Sequence, residues 1–130
     1  MKRSWVVIAA LLMVTSVALV AFAAKPKPKP KPVALPKIVE LGSTNCIPCK
    51  MMVPVLEQLK KEYKGKLLVE AIDVQKNPDA KGKYKVRMIP TQILFNGKRK
   101  EIARHLGYWP KDDIIAEFKK HGVKLVKGAK

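Results

Sequence analysis

The sequence is poor in the side chains that usually hold metals. Its 130 residues include two cysteines and two histidines. A structural zinc site takes four such ligands at short, characteristic spacings. His105 and His121 lie far downstream of Cys46 and Cys49 and are not spaced like a zinc-finger pair. We therefore predict no metal site, and expect His105 to be a strand residue and His121 a cation at a helix C-terminus.

Aromatic residues are also scarce, at 6% of the chain. The chain is nonetheless strongly basic, with 27 lysines and arginines against 10 acidic residues and a net charge of +17. Proteins that bind single-stranded nucleic acid combine a basic groove with aromatic side chains on which bases stack. Because no basic stripe here is interleaved with aromatics, we expect no nucleic-acid partner.

Acidic residues are nearly absent from the first third of the chain, where Glu40 is the only one. The chain begins with a basic tip, Lys2 and Arg3, followed by an uncharged apolar run over residues 5–24 that contains the triplet Ala21-Phe22-Ala23. Such a segment is typical of an export signal, and it is also long enough to cross a bilayer. A cleaved signal peptide and a membrane anchor at residues 1–24 both place the rest of the chain outside the cytoplasm, in the periplasm or cell envelope.

Residues 25–37 contain four Lys-Pro pairs and a further proline, Pro36. Proline fixes φ and disfavours helix in the residue before it, so alternate prolines impose an extended rod. We predict a stiff linker. Its lysines could meet anionic lipid headgroups or another polyanion; a spacer with no partner is the alternative.

Residues 38–130 have the pattern of one α/β domain, with no internal repeat. Strands are predicted at 37–42 and 66–74, and two more are joined around Asn96-Gly97. Helices are predicted at 46–63, with Asn45 as its cap, after Asn77 with Pro78 at the first position, and from Pro110 to Gly122. This order predicts a central mixed β-sheet flanked by helices, with the first two strands parallel.

Both cysteines lie in "CIPC", at the first turn of the predicted helix. The exposed N–H groups and the positive dipole end there favour the thiolate of Cys46, which makes it the nucleophile. Cys49 lies one turn further in and can resolve a mixed disulfide formed on Cys46. An inert structural disulfide is the rival interpretation, although a loop of two residues would restrict the unfolded chain little.

Together with the later "RMIPT", these features resemble the thioredoxin family over about Lys37 to Val123. "CIPCKMMVPVLEQLKKEY" is similar to the family's active-site helix, including its kinking proline, here Pro54. "KNPDAKGKYKVRMIPTQILF" is similar to the block whose cis-proline, here Pro90, faces the active site. The resemblance implies a thioredoxin fold and a redox-active Cys46–Cys49 disulfide with no other cofactor. It also implies five substrate-binding residues: Ile47, Pro48, Ile89, Pro90 and Thr91.

Glu40 stands six residues before Cys46, where the family often has a buried acid that helps to move the proton of the resolving cysteine. A sheltered carboxyl there could have a raised pKa and act as a general base through water. An ordinary edge glutamate that faces solvent is the alternative.

Four residues depart from the family pattern. Asn45 replaces an aromatic, Ile47 and Met88 replace glycines, and Ala71 aligns with a lysine that is often paired with the buried acid. These departures predict a narrower, more apolar substrate surface and an altered proton route.

We therefore predict an extracytoplasmic thiol–disulfide oxidoreductase, secreted or membrane-tethered and monomeric, that reduces protein disulfides. Because no histidine lies between the cysteines, a reductant is favoured, and the resemblance then implies a transmembrane thiol electron donor as partner. The alternatives are a disulfide oxidase or isomerase, a redox-inactive binding module tethered to the membrane, and a polyanion-binding protein that acts through its lysines.

Overall fold

The computed structural model describes residues 34–128. Within these residues there are four strands: β1 (Lys37–Gly42), β2 (Leu68–Asp73), β3 (Thr91–Phe95) and β4 (Glu101–Leu106). The same part of the chain forms three helices: α1 (Ile47–Glu62), α2 (Asp79–Lys83) and α3 (Lys111–Lys120). The predicted signal or anchor at 1–24, and the linker as far as residue 33, lie outside the described residues. Within 34–128, no helix is both long and apolar enough to cross a membrane.

The strands form one mixed sheet in the order β2-β1-β3-β4. β1 runs parallel to β2 and antiparallel to β3, and β3 and β4 form an antiparallel hairpin. Two parallel neighbours need a crossover between them, and α1 supplies it. The predicted mixed sheet, with its first two strands parallel, is confirmed.

Each face of the sheet buries its own apolar cluster, because side chains alternate along every strand. On one face, Ile38 and Leu94 pack with Met52 and Leu59 of α1 and Phe118 of α3. The opposite face is covered by α2, as the second cluster shows: Val39, Leu41, Ala80, Val86 and Ile93. Helices therefore lie on both faces, as the element order predicts.

The start of α1 differs from the prediction, since Asn45 is not its cap. The N-cap residue is Cys46, whose Sγ accepts from the Cys49 N–H at 3.3 Å. Asn45 instead belongs to the preceding turn, where its N–H donates to Ser43 Oγ at 3.3 Å. Helix α2 likewise begins one residue later than predicted, since Pro78 is its N-cap.

The hairpin forms where Asn96-Gly97 predicts it, but with five connecting residues rather than a tight two-residue turn. The Asn96 side chain accepts from the N–H groups of Lys98 and Lys100, at 2.9 and 3.1 Å. Arg99, with φ of 60°, takes the left-handed conformation in this loop. The Asn96 carboxamide thus organises a wider loop than an Asn-Gly turn would need.

Candidate functional site

The cysteine pair lies where the chain leaves the end of β1 and enters α1. Cys46 and Cys49 are joined as a disulfide with their Cα atoms 5.2 Å apart. Cys46 is half-buried, whereas Cys49 is buried under the first turn of the helix. The more accessible sulfur is therefore the one at the helix terminus, where unpaired N–H groups and the helix dipole stabilise a thiolate.

Gly42 allows Cys49 to lie this close to the strand. A Cβ added at Gly42 would lie 3.3 Å from Cys49 Cβ, 3.4 Å from its Sγ and 3.5 Å from Glu40 Oε1. The glycine therefore brings the resolving sulfur and the carboxylate of Glu40 together. The sequence prediction missed Gly42, and the only signal was a glycine at the end of a strand that precedes a reactive cysteine.

Glu40 is buried on the α1 side of the sheet, with 4% of its surface exposed. Desolvation raises its pKa from 4.5 to about 7, while the neighbouring Gln92 side chain acts in the opposite direction. No partner within hydrogen-bonding distance among residues 34–128 meets Glu40 Oε1 or the amide atoms of Gln92. The alternative of a solvent-facing edge glutamate is therefore wrong, and this carboxyl can exchange a proton near neutral pH.

A cleft of about 380 Å³ connects Glu40 and Cys49 to the solvent. Its lining includes Glu40, Gly42 and Cys49 on the inside and Lys50, Asp73 and Lys76 among the charged residues. A cleft of this size holds several water molecules. It therefore offers a route for water between Glu40 and Cys49 Sγ.

The predicted proline loop lies at the same end of the sheet. The Ile89-Pro90 peptide bond is cis. Thr91 pairs with Leu41, which sets Pro90 level with the end of β1, immediately before the cysteine turn. The Pro90 carbonyl accepts from the Gly107 N–H at 2.8 Å, so the loop after β4 holds this position from the other side.

The five predicted substrate-binding residues differ in exposure. Ile47 is 74% exposed and Pro48 is also exposed, while Ile89 is half-buried. Pro90 and Thr91 are buried, and Thr91 Oγ1 donates to the Met88 carbonyl at 2.7 Å. The Thr91 side chain therefore holds the backbone of the proline loop, through its bond to the Met88 carbonyl. Met88, which was not among the five, is an apolar residue of the proline loop and is 62% exposed.

The two histidines lie in the elements expected for them. His105 is in β4, where its ring stacks on Trp109 with centroids 4.6 Å apart. His121 is at the end of α3, with Nε2 3.0 Å from Glu117 Oε1. In the part of the chain that the structure describes, no three His, Cys, Asp or Glu side chains are grouped to hold a metal ion. The absence of a metal cofactor stays a prediction.

Comparison with known proteins decides the family. The Thioredoxin family profile matches residues 31–120. The chain belongs to the thioredoxin family. Thioredoxins from Staphylococcus aureus strains Mu50 and MW2 are each 38% identical to it over 85 residues, or 65% of this chain and 81% of theirs. The solved structure of a malarial protein superposes with a TM-score of 0.63 at 28% identity, covering 67% of this chain and 97% of that one.

Family membership and the site geometry together define the reaction class. This thioredoxin-family protein carries two cysteines in CxxC spacing, bonded to each other at the start of a helix. It is a thiol–disulfide oxidoreductase, and protein thiols and disulfides are its class of substrate. The thioredoxin fold expected from the resemblance is confirmed.

Proposed function

We propose that the protein reduces disulfides of other proteins outside the cytoplasm, with Cys46 as the nucleophile and Cys49 as the resolving thiol. The observation that carries the proposal is the unequal shelter of the two sulfurs, with Cys49 buried and Cys46 half-buried at the helix terminus. A substrate sulfur can approach Cys46, whereas Cys49 is buried and meets solvent only through the cleft that it shares with Glu40.

In the first step, the Cys46 thiolate attacks one sulfur of the substrate disulfide. A mixed disulfide forms between the substrate and Cys46, and the other substrate sulfur leaves as a thiolate. The exposed side chain of Ile47, next to Cys46, offers an apolar contact to the substrate. Backbone groups beside Pro90 pair with an extended substrate segment.

In the second step, Cys49 loses its proton and attacks Cys46 Sγ. Glu40 accepts that proton through water in the cleft, since its raised pKa of about 7 suits a base at neutral pH. The bond between Cys46 and the substrate breaks as the Cys46–Cys49 disulfide closes, and the second substrate sulfur leaves as a thiolate that takes a proton from water. Two electrons have passed to the substrate, so a thiol donor must reduce the pair before the next cycle. The chemistry uses no other cofactor.

The reducing direction and the cellular site are supported by the sequence. Ile47 and Pro48 separate the cysteines, so no imidazolium stands between them to stabilise the Cys46 thiolate further. The apolar run at 5–24 favours export as a tethered or secreted monomer. A reductant outside the cytoplasm needs electrons from across the membrane, so its partner would be a transmembrane thiol carrier.

The reduction potential of the Cys46–Cys49 pair tests the direction. We expect a reduction potential of about −270 mV, in the range of reducing thioredoxins. A reduction potential of about −180 to −120 mV would instead identify an isomerase or an oxidase. A disulfide that does not equilibrate with a thiol buffer would support the tethered binding module and overturn the enzymatic reading.

A further inference from the structure

The end of the sheet opposite the cysteines is formed by three segments, residues 34–37, 64–68 and 96–100, which we call the basic pole. The start of β1 pairs in register with the start of β2 and the end of β3, through Lys37 with Leu68 and Lys37 with Phe95. The Ala34 N–H donates to the Gly97 carbonyl at 2.8 Å. The three segments therefore form one continuous surface at the point where the chain enters the domain.

The basic pole carries six cationic side chains and no acidic one. Lys37 forms an ion pair with Glu70. The other five, which are exposed, take part in none of the ion pairs found within residues 34–128: Lys64, Lys66, Lys98, Arg99 and Lys100. The flanking acids Glu62 and Glu101 are already paired, with Lys111 and Arg104. The positive charge at this end is thus left uncompensated by its acidic neighbours.

Apolar side chains are exposed among these cations. Leu35 and Leu68 are 39% and 49% exposed. Both line a pocket of about 320 Å³ together with Tyr84 and Phe95. Lys37 and Arg99 line the same pocket, and exposed leucines beside cations are the pattern of a surface that enters the boundary between lipid headgroups and acyl chains.

We propose that the basic pole docks on an anionic phospholipid surface, with its cations on the phosphates and Leu35 and Leu68 in the headgroup boundary. The Lys-Pro pairs at 25–32 adjoin the pole in sequence and add four lysines. Membrane docking also agrees with the apolar run at 5–24. A nucleic acid or a soluble acidic protein as the partner of the pole would not account for that run. β1 runs for six residues from Lys37 in the pole to Gly42 before the cysteine turn, a length of roughly 20 Å, so docking leaves Cys46 free to meet substrates.

Lysine acylation of the full chain on vesicles, followed by mass spectrometry, tests this proposal. The chain is reconstituted with phosphatidylcholine alone and with phosphatidylcholine plus phosphatidylglycerol, so that the apolar run can insert in both. We expect acylation of Lys98 and Lys100 to slow about five-fold on the anionic vesicles, the factor for roughly 1 kcal/mol per basic side chain. Raised salt should restore the rate, and Lys50, beside the cysteines, should react equally on both.

Two charge variants complete the test. Lys64→Glu with Lys66→Glu should abolish the protection of Lys98 and Lys100, while Lys81→Glu with Lys119→Glu, which changes the net charge equally, should preserve it. Both variants should reduce insulin at the wild-type rate, which shows that they are folded and separates this proposal from the enzymatic one. Equal acylation on both vesicle types, an equal decrease at Lys50, or protection by single-stranded nucleic acid but not by anionic vesicles would overturn the proposal.

Discussion

Replacing Glu40 with glutamine should make the protein more stable at alkaline pH. The carboxyl is buried, and burial raises its pKa from 4.5 to about 7. When the pKa of an acid is higher in the folded protein than in the unfolded chain, its full contribution to stability is present only below the pKa of the unfolded chain. That stability is lost as the pH rises from about 4.5 through 7, because the unfolded chain then ionises more readily than the folded one. Glutamine imitates the neutral form of Glu40 at every pH.

The magnitude follows from the two pKa values, which differ by about 2.5 (7 less 4.5). At about 1.4 kcal/mol for each pKa unit, the full cost of ionising Glu40 in the fold is about 3 kcal/mol. Most of this cost, about 2.5 kcal/mol, develops between pH 5 and pH 8. The Glu40→Gln variant should therefore gain about 2.5 kcal/mol of stability relative to the wild type between pH 5 and pH 8.

Urea unfolding of the oxidised protein at a series of pH values measures this effect. The disulfide keeps Cys46 and Cys49 from titrating, and His105 and His121 are present in both proteins, so the difference isolates Glu40. Glu57→Gln, a change at an exposed acid on α1, serves as the control and should keep the wild-type pH dependence. Parallel stability curves for the wild type and Glu40→Gln would refute the account of a buried carboxyl that ionises near neutrality.

Two further substitutions test the packing of the site and of the core. Gly42→Ala adds a Cβ 3.3 Å from Cys49 Cβ, so we expect the free energy of unfolding to fall by about 1 to 2 kcal/mol. The second step should also slow, which rapid-quench experiments would show as accumulated mixed disulfide. The control Gly82→Ala, whose added Cβ meets nothing within 4 Å, should have neither effect, and a Gly42→Ala protein with wild-type stability and kinetics would contradict the close approach. Phe118→Ala removes a fully buried ring and should cost about 3 to 5 kcal/mol in denaturant unfolding, whereas a loss below about 1 kcal/mol would mean that α3 does not close the core.

The sequence predicts the order of the elements because each segment has its own periodicity and its own boundary signals. Pro110 and Gly122 bracket the last helix, whose described bounds are Lys111–Lys120, and Gly122 has the positive φ of 75° expected of a helix stop. Local signals fail where a neighbour in space decides the outcome. Asn45 is a good cap in isolation, yet the Cys46 sulfur takes that position.

The site also combines features that the sequence predicts with features that only packing in space decides. The cysteine motif and the proline block are both readable in the sequence, and the sheet brings them to one end. The family resemblance points to a buried acid at Glu40, but the close approach at Gly42 and the hydrogen bond from Thr91 Oγ1 to the Met88 carbonyl depend on how the elements pack in space. Pattern along the chain carries no information about these distances.

Trapping of the mixed disulfide tests the central claim most directly. The reduced Cys49→Ala variant is mixed with a protein disulfide substrate, and the products are analysed by non-reducing mass spectrometry. The account predicts a one-to-one adduct joined through Cys46, and no comparable adduct for Cys46→Ala, whose remaining Cys49 is buried. Equal adducts on both variants, or none on either, would contradict the assignment of Cys46 as the nucleophile.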